Sequence, residues 1–172
     1  MTVIVRIADL SDADSIARVH VASWEDAYRG IVPDAVIDAR TVDVRRAQWI
    51  ENLSKGDSIT LVACDERGTI QGFASARLLN DTDDKFQSYL HTLYVRPETQ
   101  NRGVGRQLLQ AIATRLRDCG ARNLALRTLR LGHVRVFYEH LGARLVPEDI
   151  DNDGGTFDDV IYVFDDISAL VD

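Results

Sequence analysis

The chain has 172 residues, 45% hydrophobic and 27% charged, which fits one compact domain and excludes a disordered or collagen-like protein. Its formal net charge is −7, from 20 basic and 27 acidic side chains, which argues against a protein that binds nucleic acid by broad phosphate neutralisation. No apolar run approaches the roughly 18 residues of a membrane helix, and the first residues lack a signal-peptide pattern, so we expect a soluble cytoplasmic protein without a membrane partner.

The first half of the chain predicts a strand, three helices and a hairpin. A β-branched run predicts the strand, and Ser11-x-x-Asp14 has the spacing of a capping box that opens the first helix. Two helix-compatible stretches follow Pro33, and a turn at 65–68 predicts an antiparallel hairpin. The expected elements are a strand at 3–7, a helix from 11 to about 30, two helices after 33, and strands at 58–64 and 70–79.

The second half alternates strands with helices. A strand at 86–95 ends before Pro97, and apolar residues at helical spacing from Val104 to Cys119 predict a long amphipathic helix. Shorter elements are expected as strands at 124–128, 143–146 and 160–164 and a helix at 133–140. This order predicts a mixed sheet with helices packed on it.

Two further features of composition bear on ligands. Cys64 and Cys119 have no His or Cys nearby at metal-ligand spacing, so both are expected to be reduced structural thiols, and no metal site is predicted. Residues 148–172 carry nine acids and no Lys or Arg. That segment is either a solvated acidic edge or a surface that attracts a cationic acceptor.

The loop before the long helix has the chemistry of an anion site. Backbone N–H groups and the helix dipole favour an anion at a helix N-terminus, and Gly103 and Gly105 let a phosphate approach the backbone. Arg102 and Arg106 add charge-assisted contacts. The alternative is that the glycines only shape a tight turn. A dinucleotide fingerprint is excluded because Leu108 stands where its third glycine belongs, and a P-loop is excluded because no Lys-Ser/Thr follows Gly105.

Three segments of the chain resemble the GNAT family of N-acetyltransferases, in the family's order. The run 100–105, Gln-Asn-Arg-Gly-Val-Gly, is similar to the family's Gln/Arg-x-x-Gly-x-Gly/Ala pyrophosphate loop, with Leu-Tyr-Val-x-Pro upstream. Residues 137–143 resemble its later helix-to-strand signature, and residues 23–34 resemble the opening helices of its small-molecule members. The resemblance implies a single α/β domain over residues 1–172: a mixed, mostly antiparallel, twisted sheet of about six or seven strands with helices on both faces.

The resemblance also implies acetyl-CoA as co-substrate and assigns its contacts. The acyl and pantetheine groups are expected on the exposed backbone of Leu93, Tyr94 and Val95. A family Asn that bonds the pantetheine arm is replaced by Leu131, which removes one expected contact. The diphosphate is expected on the loop residues Gln100, Asn101, Arg102, Gly103, Val104, Gly105 and Arg106.

Acetyl transfer to an amine requires an acid and a base, and the resemblance points to candidates for each. Tyr138 matches the family tyrosine that protonates the departing thiolate; the alternative is a tyrosine that only packs in the core. Tyr89 stands where the family often has a Glu base, and His91, assigned to the same side of its strand as Tyr89 and Leu93, has a pKa suited to proton relay. His91 is therefore the candidate base, with a structural histidine or a water chain as alternatives.

Glu25, Tyr28 and Tyr89 are the candidate residues for binding the acceptor. The expected acceptor is a small-molecule amine of the polyamine, amino-acid or amino-bearing antibiotic class. The alternatives are a protein N-terminus or lysine as acceptor, or a non-catalytic acyl-CoA-binding module. A homodimer is expected from the resemblance alone.

Overall fold

The computed structural model describes residues 1–79, 85–130, 134–147 and 159–171. Its strands are β1 (Ile4–Ile7), β2 (Ile59–Cys64), β3 (Ile70–Leu78), β4 (Ser88–Val95), β5 (Leu124–Leu129), β6 (Arg144–Leu145) and β7 (Asp159–Phe164). Its α-helices are α1 (Ala13–Tyr28), α2 (Asp34–Asp38), α3 (Val42–Lys55), α4 (Val104–Asp118) and α5 (Val134–His140). The strands form one seven-stranded sheet in the order β1-β2-β3-β4-β5-β7-β6. The predicted α/β fold is confirmed.

Helices cover both faces of the sheet, as expected. On one face the buried side of α4, with Leu108, Ile112 and Leu116, packs against strand residues such as Leu61 and Leu124. On the other face, α1 and α3 enclose a smaller core with Val62 and Phe73 of the sheet. The sheet is therefore the middle of three layers, and a ligand can reach its interior only where two strands separate.

The strands separate between β4 and β5, the one pair of neighbours in the order above that runs parallel. These two strands pair only at Tyr89 with Ala125 and at Leu90 with Leu126. Beyond that point β4 stays paired with β3, and β5 stays paired with β7. The two strands follow different partners, and a gap opens between them in the middle of the sheet.

The start of α1 differs from the predicted capping box. The capping residue is Asp9, whose carboxylate accepts from the Ser11 N–H at 2.8 Å, while the Asp12 carboxylate accepts from the Asp9 N–H at 2.9 Å. A 3₁₀ turn at Leu10–Asp12 precedes the helix and places Ser11 inside the turn. The Ser11-x-x-Asp14 prediction was wrong because the capping spacing is satisfied two residues earlier.

Other expected boundaries shift by one or two residues, so β2 begins at Ile59 and β4 at Ser88. Both cysteines are free thiols, but only Cys64 is buried, and Cys119 is exposed at the end of α4. Part of the acidic segment, residues 148–158, lies outside the described residues, as do His133 and Leu131. Among the helices that the structure describes, none combines the length and the apolar character that a membrane span requires.

Candidate active site

A cavity of about 330 Å³ occupies the gap between β4 and β5. Its walls come from α1, β4, the loop after β4, the first turn of α4, the end of β5, and α5. Most of the segments that the sequence singles out therefore meet at one place. A cavity of this size suits a small molecule or an extended arm of one.

The last residues of β4 present backbone to this cavity. Beyond Leu90 this edge of β4 has no partner strand among the described residues, so its N–H and C=O groups can bond a ligand. The Val95 carbonyl is already engaged, since it accepts from Ser23 Oγ at 2.9 Å and from Gln100 Nε2 at 3.3 Å. Leu93, Tyr94 and Val95 all line the cavity, and the contacts of Val95 leave the backbone of Leu93 and Tyr94 as the more open part.

The N-terminus of α4 is built to receive an anion. Gly103 precedes the helix in a left-handed conformation, with φ of 82°, and no side chain caps the helix. The first turn contains no acidic residue, so no carboxylate of the helix itself competes for its N–H groups and for the positive end of a 15-residue helix. Asp26 of α1 lines the same cavity, and its carboxylate accepts a hydrogen bond from Gln100 Nε2 at 3.4 Å. Asn101 also has positive φ, 57°, which folds the loop tightly against the helix. The loop thus fits a diphosphate.

Gly105 contributes to the site through close packing of the helix start. A Cβ atom at Gly105 would lie 3.3 Å from Phe137 Cζ and 3.6 Å from Leu93 Cδ2. A side chain at residue 105 would therefore press on the Phe137 ring, and its absence lets the first turn of α4 pack closely on β4 and α5. Gln100, Asn101, Gly103, Val104 and Gly105 line the cavity, whereas Arg102 and Arg106 are exposed beside it.

Tyr138 lies on α5 and lines the cavity with 5% of its surface exposed. Burial raises the pKa of its phenol well above the ordinary value of 10, so Tyr138 is protonated at neutral pH. Tyr28 and Tyr94 also line the cavity, and burial raises the pKa of each. Three phenols that are neutral at pH 7 therefore line the cavity.

His91 lies at a β-bulge. The pairing with β3 shifts between Ser75 and Ala76, so that His91 has no partner in β3. Tyr89 and His91 do share one side of β4, with ring centroids 5.1 Å apart. Leu93, however, packs with Leu90 against the core under α4, so the expectation that His91 and Leu93 share a face was wrong: the bulge inserts a residue and inverts the alternation.

The chemistry of His91 suits proton acceptance. Partial burial and the nearby Arg77 guanidinium lower its pKa below 6.5, which keeps the imidazole neutral at pH 7. His91 lines the cavity, whereas Tyr89, whose pKa is raised by burial, contacts His91 from just outside the lining.

The two acceptor-site candidates of α1 point to different places. Tyr28 is buried and lines the main cavity. Glu25 is exposed, forms an ion pair with Arg29 at 3.0 Å, and lines a smaller neighbouring cavity between α1, α2 and α3. Glu25 therefore lies outside the main cavity, on the side of α1 that faces α2 and α3.

Several residues at the site escaped prediction from the sequence. Ser23 fixes the end of β4 through the Val95 carbonyl, and His20 stacks on the Tyr94 ring with centroids 4.7 Å apart. Thr92 and Thr128 line the cavity; the buried Thr92 hydroxyl has no hydrogen-bond partner in the described part of the chain, whereas the Thr128 hydroxyl interacts with the Tyr28 phenol. Ser23 lies within the segment 23–34 that resembles the family's opening helices. No local sequence pattern singles out Thr92 or Thr128, because their position beside the cavity depends on the gap between β4 and β5.

Comparison with known proteins identifies the family. Residues 20–143 match the model of the Acetyltransferase (GNAT) family. This chain belongs to the GNAT family of acetyltransferases. It is 30% identical over 169 residues to the uncharacterized N-acetyltransferase YuaI of Bacillus subtilis, an alignment that covers 98% of this chain and 96% of YuaI. The family and the named relative thus identify this GNAT protein as an N-acetyltransferase.

Two other relatives have named substrates. An aminoglycoside N(6')-acetyltransferase of Stenotrophomonas maltophilia is 33% identical over 60% of this chain and 66% of its own length. The L-amino acid N-acyltransferase MnaT of Escherichia coli is 29% identical over 67% of this chain and 64% of its own length. The names of both relatives thus give small-molecule substrates, an aminoglycoside and an L-amino acid.

A solved structure shows the same fold. The PaiA N-acetyltransferase of Thermoplasma acidophilum, in complex with coenzyme A, superposes with a TM-score of 0.76 at 22% identity, covering 95% of this chain and 98% of that chain. The architecture described above is thus one that is known to exist around coenzyme A.

Proposed function

We propose that this GNAT protein transfers the acetyl group of acetyl-CoA to the amine of a small molecule. The observation that carries the proposal is the single cavity that joins the open edge of β4, the uncapped N-terminus of α4 and the Tyr138 phenol. The open strand edge fits an extended amide arm, and the helix N-terminus fits a diphosphate. The phenol can supply the proton that a departing thiolate needs. The volume of the cavity, about 330 Å³, favours a small acceptor over a folded protein surface.

In this proposal the residues that line the gap hold the donor. Leu93 and Tyr94 offer backbone groups to the acyl end, and the first-turn amides of α4 with Gln100, Asn101, Gly103 and Gly105 hold the diphosphate. Arg102 and Arg106 contact its outer charge. Bound acetyl-CoA supplies an acyl thioester, whose carbonyl carbon is open to attack by an amine.

The acceptor must lose a proton before it attacks, because an alkylammonium has a pKa of about 10. We propose that His91 accepts this proton, directly or through water, because its neutral imidazole lines the cavity beside the gap. The amine nitrogen then bonds to the carbonyl carbon, the carbon–sulfur bond breaks, and the nitrogen releases its second proton to water, which leaves a neutral amide. Tyr138, protonated because of its burial, donates its phenolic proton to the departing sulfur and is reprotonated from solvent.

Titration calorimetry with acetyl-CoA tests the donor site. Gly103→Ala places a side chain in a left-handed conformation, which costs about 1–2 kcal/mol and disturbs the loop amides. Gly120→Ala is the matched control, since Gly120 has φ of 94° at the opposite end of α4 with open space around it. We expect binding to the unmodified protein, a comparable loss of stability in both variants, and weaker binding only in Gly103→Ala. Equal affinities in the two variants would reject the loop as the diphosphate site.

Tyr138→Phe tests the catalytic assignment and separates an enzyme from an acyl-CoA-binding module. We expect kcat to fall about 10²-fold or more, the usual contribution of a general acid, with acetyl-CoA affinity retained. Tyr162→Phe is the control, because Tyr162 is equally buried but its hydroxyl donates to Glu139 outside the cavity lining. Unchanged kcat in Tyr138→Phe would leave Tyr138 as a packing residue. Turnover with protein N-termini or lysines but with no small amine would overturn the small-molecule acceptor.

Three broader predictions belong to the same proposal. We propose that residues 1–172 act as one acetyltransferase domain, which predicts a single cooperative unfolding transition. A homodimer predicts twice the chain mass in light scattering. Location in the cytoplasm predicts recovery in that fraction after cell fractionation.

A further inference from the structure

A second cavity, of about 170 Å³, lies beside the main one between α1, α2 and α3. Three arginines line it, Arg29 just after α1, Arg40 just after α2 and Arg45 on α3, together with Trp24 and the carboxylates of Glu25 and Asp38. The Arg40 guanidinium lies 4.1 Å from the centre of the Trp24 ring. The cavity is therefore small and partly aromatic, and its lining carries one positive charge in excess.

The charges of the arginines around this cavity are balanced unequally. Arg29, on the rim, is fully matched: it pairs with Glu25 at 3.0 Å, with Asp34 at 3.1 Å and with Asp38 at 3.1 Å. Arg40 and Arg45 form no ion pair with any residue that the structure describes. Their hydrogen bonds go to neutral acceptors.

The hydrogen bonds of the two arginines leave donors unused. Arg40 Nη1 donates to the Val36 carbonyl at 2.8 Å, and Arg45 Nη1 donates to Gln48 Oε1 at 2.9 Å. The Nε atom of Arg45 is buried and has no acceptor among the described residues. Burial lowers the pKa of Arg45, and repulsion by the Arg40 charge lowers it further. Two half-buried cations that form no ion pair are unfavourable unless an anion joins them.

This cavity adjoins the main cavity through a pair of aromatic side chains. Trp24, which lines the smaller cavity, packs against Tyr28, which lines the main one, with ring centroids 4.8 Å apart. In the main cavity the buried Thr92 hydroxyl has no hydrogen-bond partner among the described residues, whereas the Thr128 hydroxyl interacts with the Tyr28 phenol. In the smaller cavity the Arg45 Nε atom also lacks a partner in the described chain. A ligand carboxylate beside Arg45 would supply the acceptor that this atom lacks.

We propose that Arg40 and Arg45 form a carboxylate subsite of the acceptor site, so that the preferred acceptor is an amino acid or a similar amine that carries a carboxylate. The inference rests on the proposed transfer to a small amine. In it the carboxylate bonds to the guanidinium groups, and the amine lies toward Leu93, within reach of the Thr92 and Thr128 hydroxyls. A polyamine or an aminoglycoside, being a polycation without a carboxylate, is disfavoured by the same two charges.

The test compares matched acceptors and matched variants. For several side chains, kcat/KM is measured with the amino acid, its α-amide and the amine that lacks the carboxyl group. Arg45→Gln and Arg40→Gln remove one charge each from the subsite. Arg46→Gln is the control. Arg46 is the exposed neighbour of Arg45 on α3, it forms an ion pair with Asp43 at 2.8 Å, and it does not line the cavity.

We expect the unmodified protein to favour the amino acid at least tenfold over its amide. Arg45→Gln should lower kcat/KM for the amino acid roughly 10- to 100-fold, the usual weight of a charge-assisted hydrogen bond, and leave the amide within about twofold. Arg46→Gln should change neither. Equal use of amino acid and amide by the unmodified protein, or an equal loss for both acceptors in Arg45→Gln, would overturn the subsite.

A binding measurement keeps this result separate from the proposed function. Titration of the protein–CoA complex with the amino acid and with its amide needs no turnover. Tighter binding of the amino acid, lost in Arg40→Gln, supports the subsite even if no amine is acetylated, in which case only the proposed function fails. Equal binding of both compounds rejects the subsite even if acetylation occurs. If Arg45→Gln does not fold by circular dichroism, Arg40→Gln decides both measurements.

Discussion

Lowering the pH from 7 to 5 should destabilise this protein through one buried histidine, His20. Its ring is 5% exposed and packs against Trp49, Phe73 and Tyr94. His20 Nδ1 accepts a hydrogen bond from Trp49 Nε1 at 3.1 Å, which requires a neutral ring with its proton on Nε2. Burial, with a smaller contribution from two nearby arginines, lowers the pKa of His20 to about 3.

The magnitude follows from the difference between the folded and unfolded pKa values. In the unfolded chain His20 takes up a proton below a pKa of about 6.5, whereas in the folded chain it does so only near 3. Between these values the unfolded state binds more protons, so stability falls as the pH falls. Linkage gives a loss of about 2 kcal/mol at pH 5 and about 3 kcal/mol at pH 4, relative to pH 7.

Urea denaturation at pH 7, 6 and 5 measures this loss, in a range where most carboxylates stay ionised. His20→Gln keeps an acceptor for Trp49 and removes the titration, so its free energy of unfolding should vary with pH by about 2 kcal/mol less than that of the unmodified protein. His140→Gln, at the exposed end of α5, serves as control. A flat profile for the unmodified protein, or the same slope in His20→Gln, would refute the reasoning.

Three further changes test the framework of the site. Leu108→Ala, at a fully buried position on α4, should lower the free energy of unfolding by about 2–5 kcal/mol in urea, and a loss below 1 kcal/mol would contradict the packing of α4. Ser23→Ala removes the 2.9 Å bond to the Val95 carbonyl and should cost about 1 kcal/mol, with weaker acetyl-CoA binding in calorimetry. Arg6 lowers the pKa of Asp12, so this pair stabilises the fold above the unfolded pKa of about 3.9 and is lost on acidification; Asp12→Asn should flatten the melting temperature between pH 5 and 3.

The parts of the site that the sequence predicts are those fixed by local rules. The helix α4 is visible because apolar residues recur at helical spacing up to Leu116, and the loop before it is visible because Gly103 and Gly105 stand at a strand-to-helix junction. Both features need only residues close in sequence. They were therefore predicted within a residue or two.

The parts that the sequence could not predict depend on partners far along the chain. The bulge at His91 exists only in the register of β4 against β3, so strand alternation alone put Leu93 on the wrong face. The stacking of His20 on Tyr94 joins α1 to β4, and nothing near either residue in the sequence indicates it. Ser23, 72 positions from the Val95 carbonyl, is hidden from local inspection for the same reason.

The donor site and the gap have one structural origin, the connection from β4 through α4 to β5. A parallel pair requires a crossover, so the helix starts at the carboxyl end of β4, and its N-terminal amides lie beside the end of that strand. Because β4 remains paired with β3 while β5 remains paired with β7, the same strand end has an open backbone edge. The open strand edge and the uncapped helix N-terminus are thus adjacent, an arrangement that suits the donor of the proposed function, an extended amide arm followed by a diphosphate. In that proposal the acceptor enters from the α1 side, and we expect the side chains of α1, α2 and α3, rather than the sheet, to decide which amine is used.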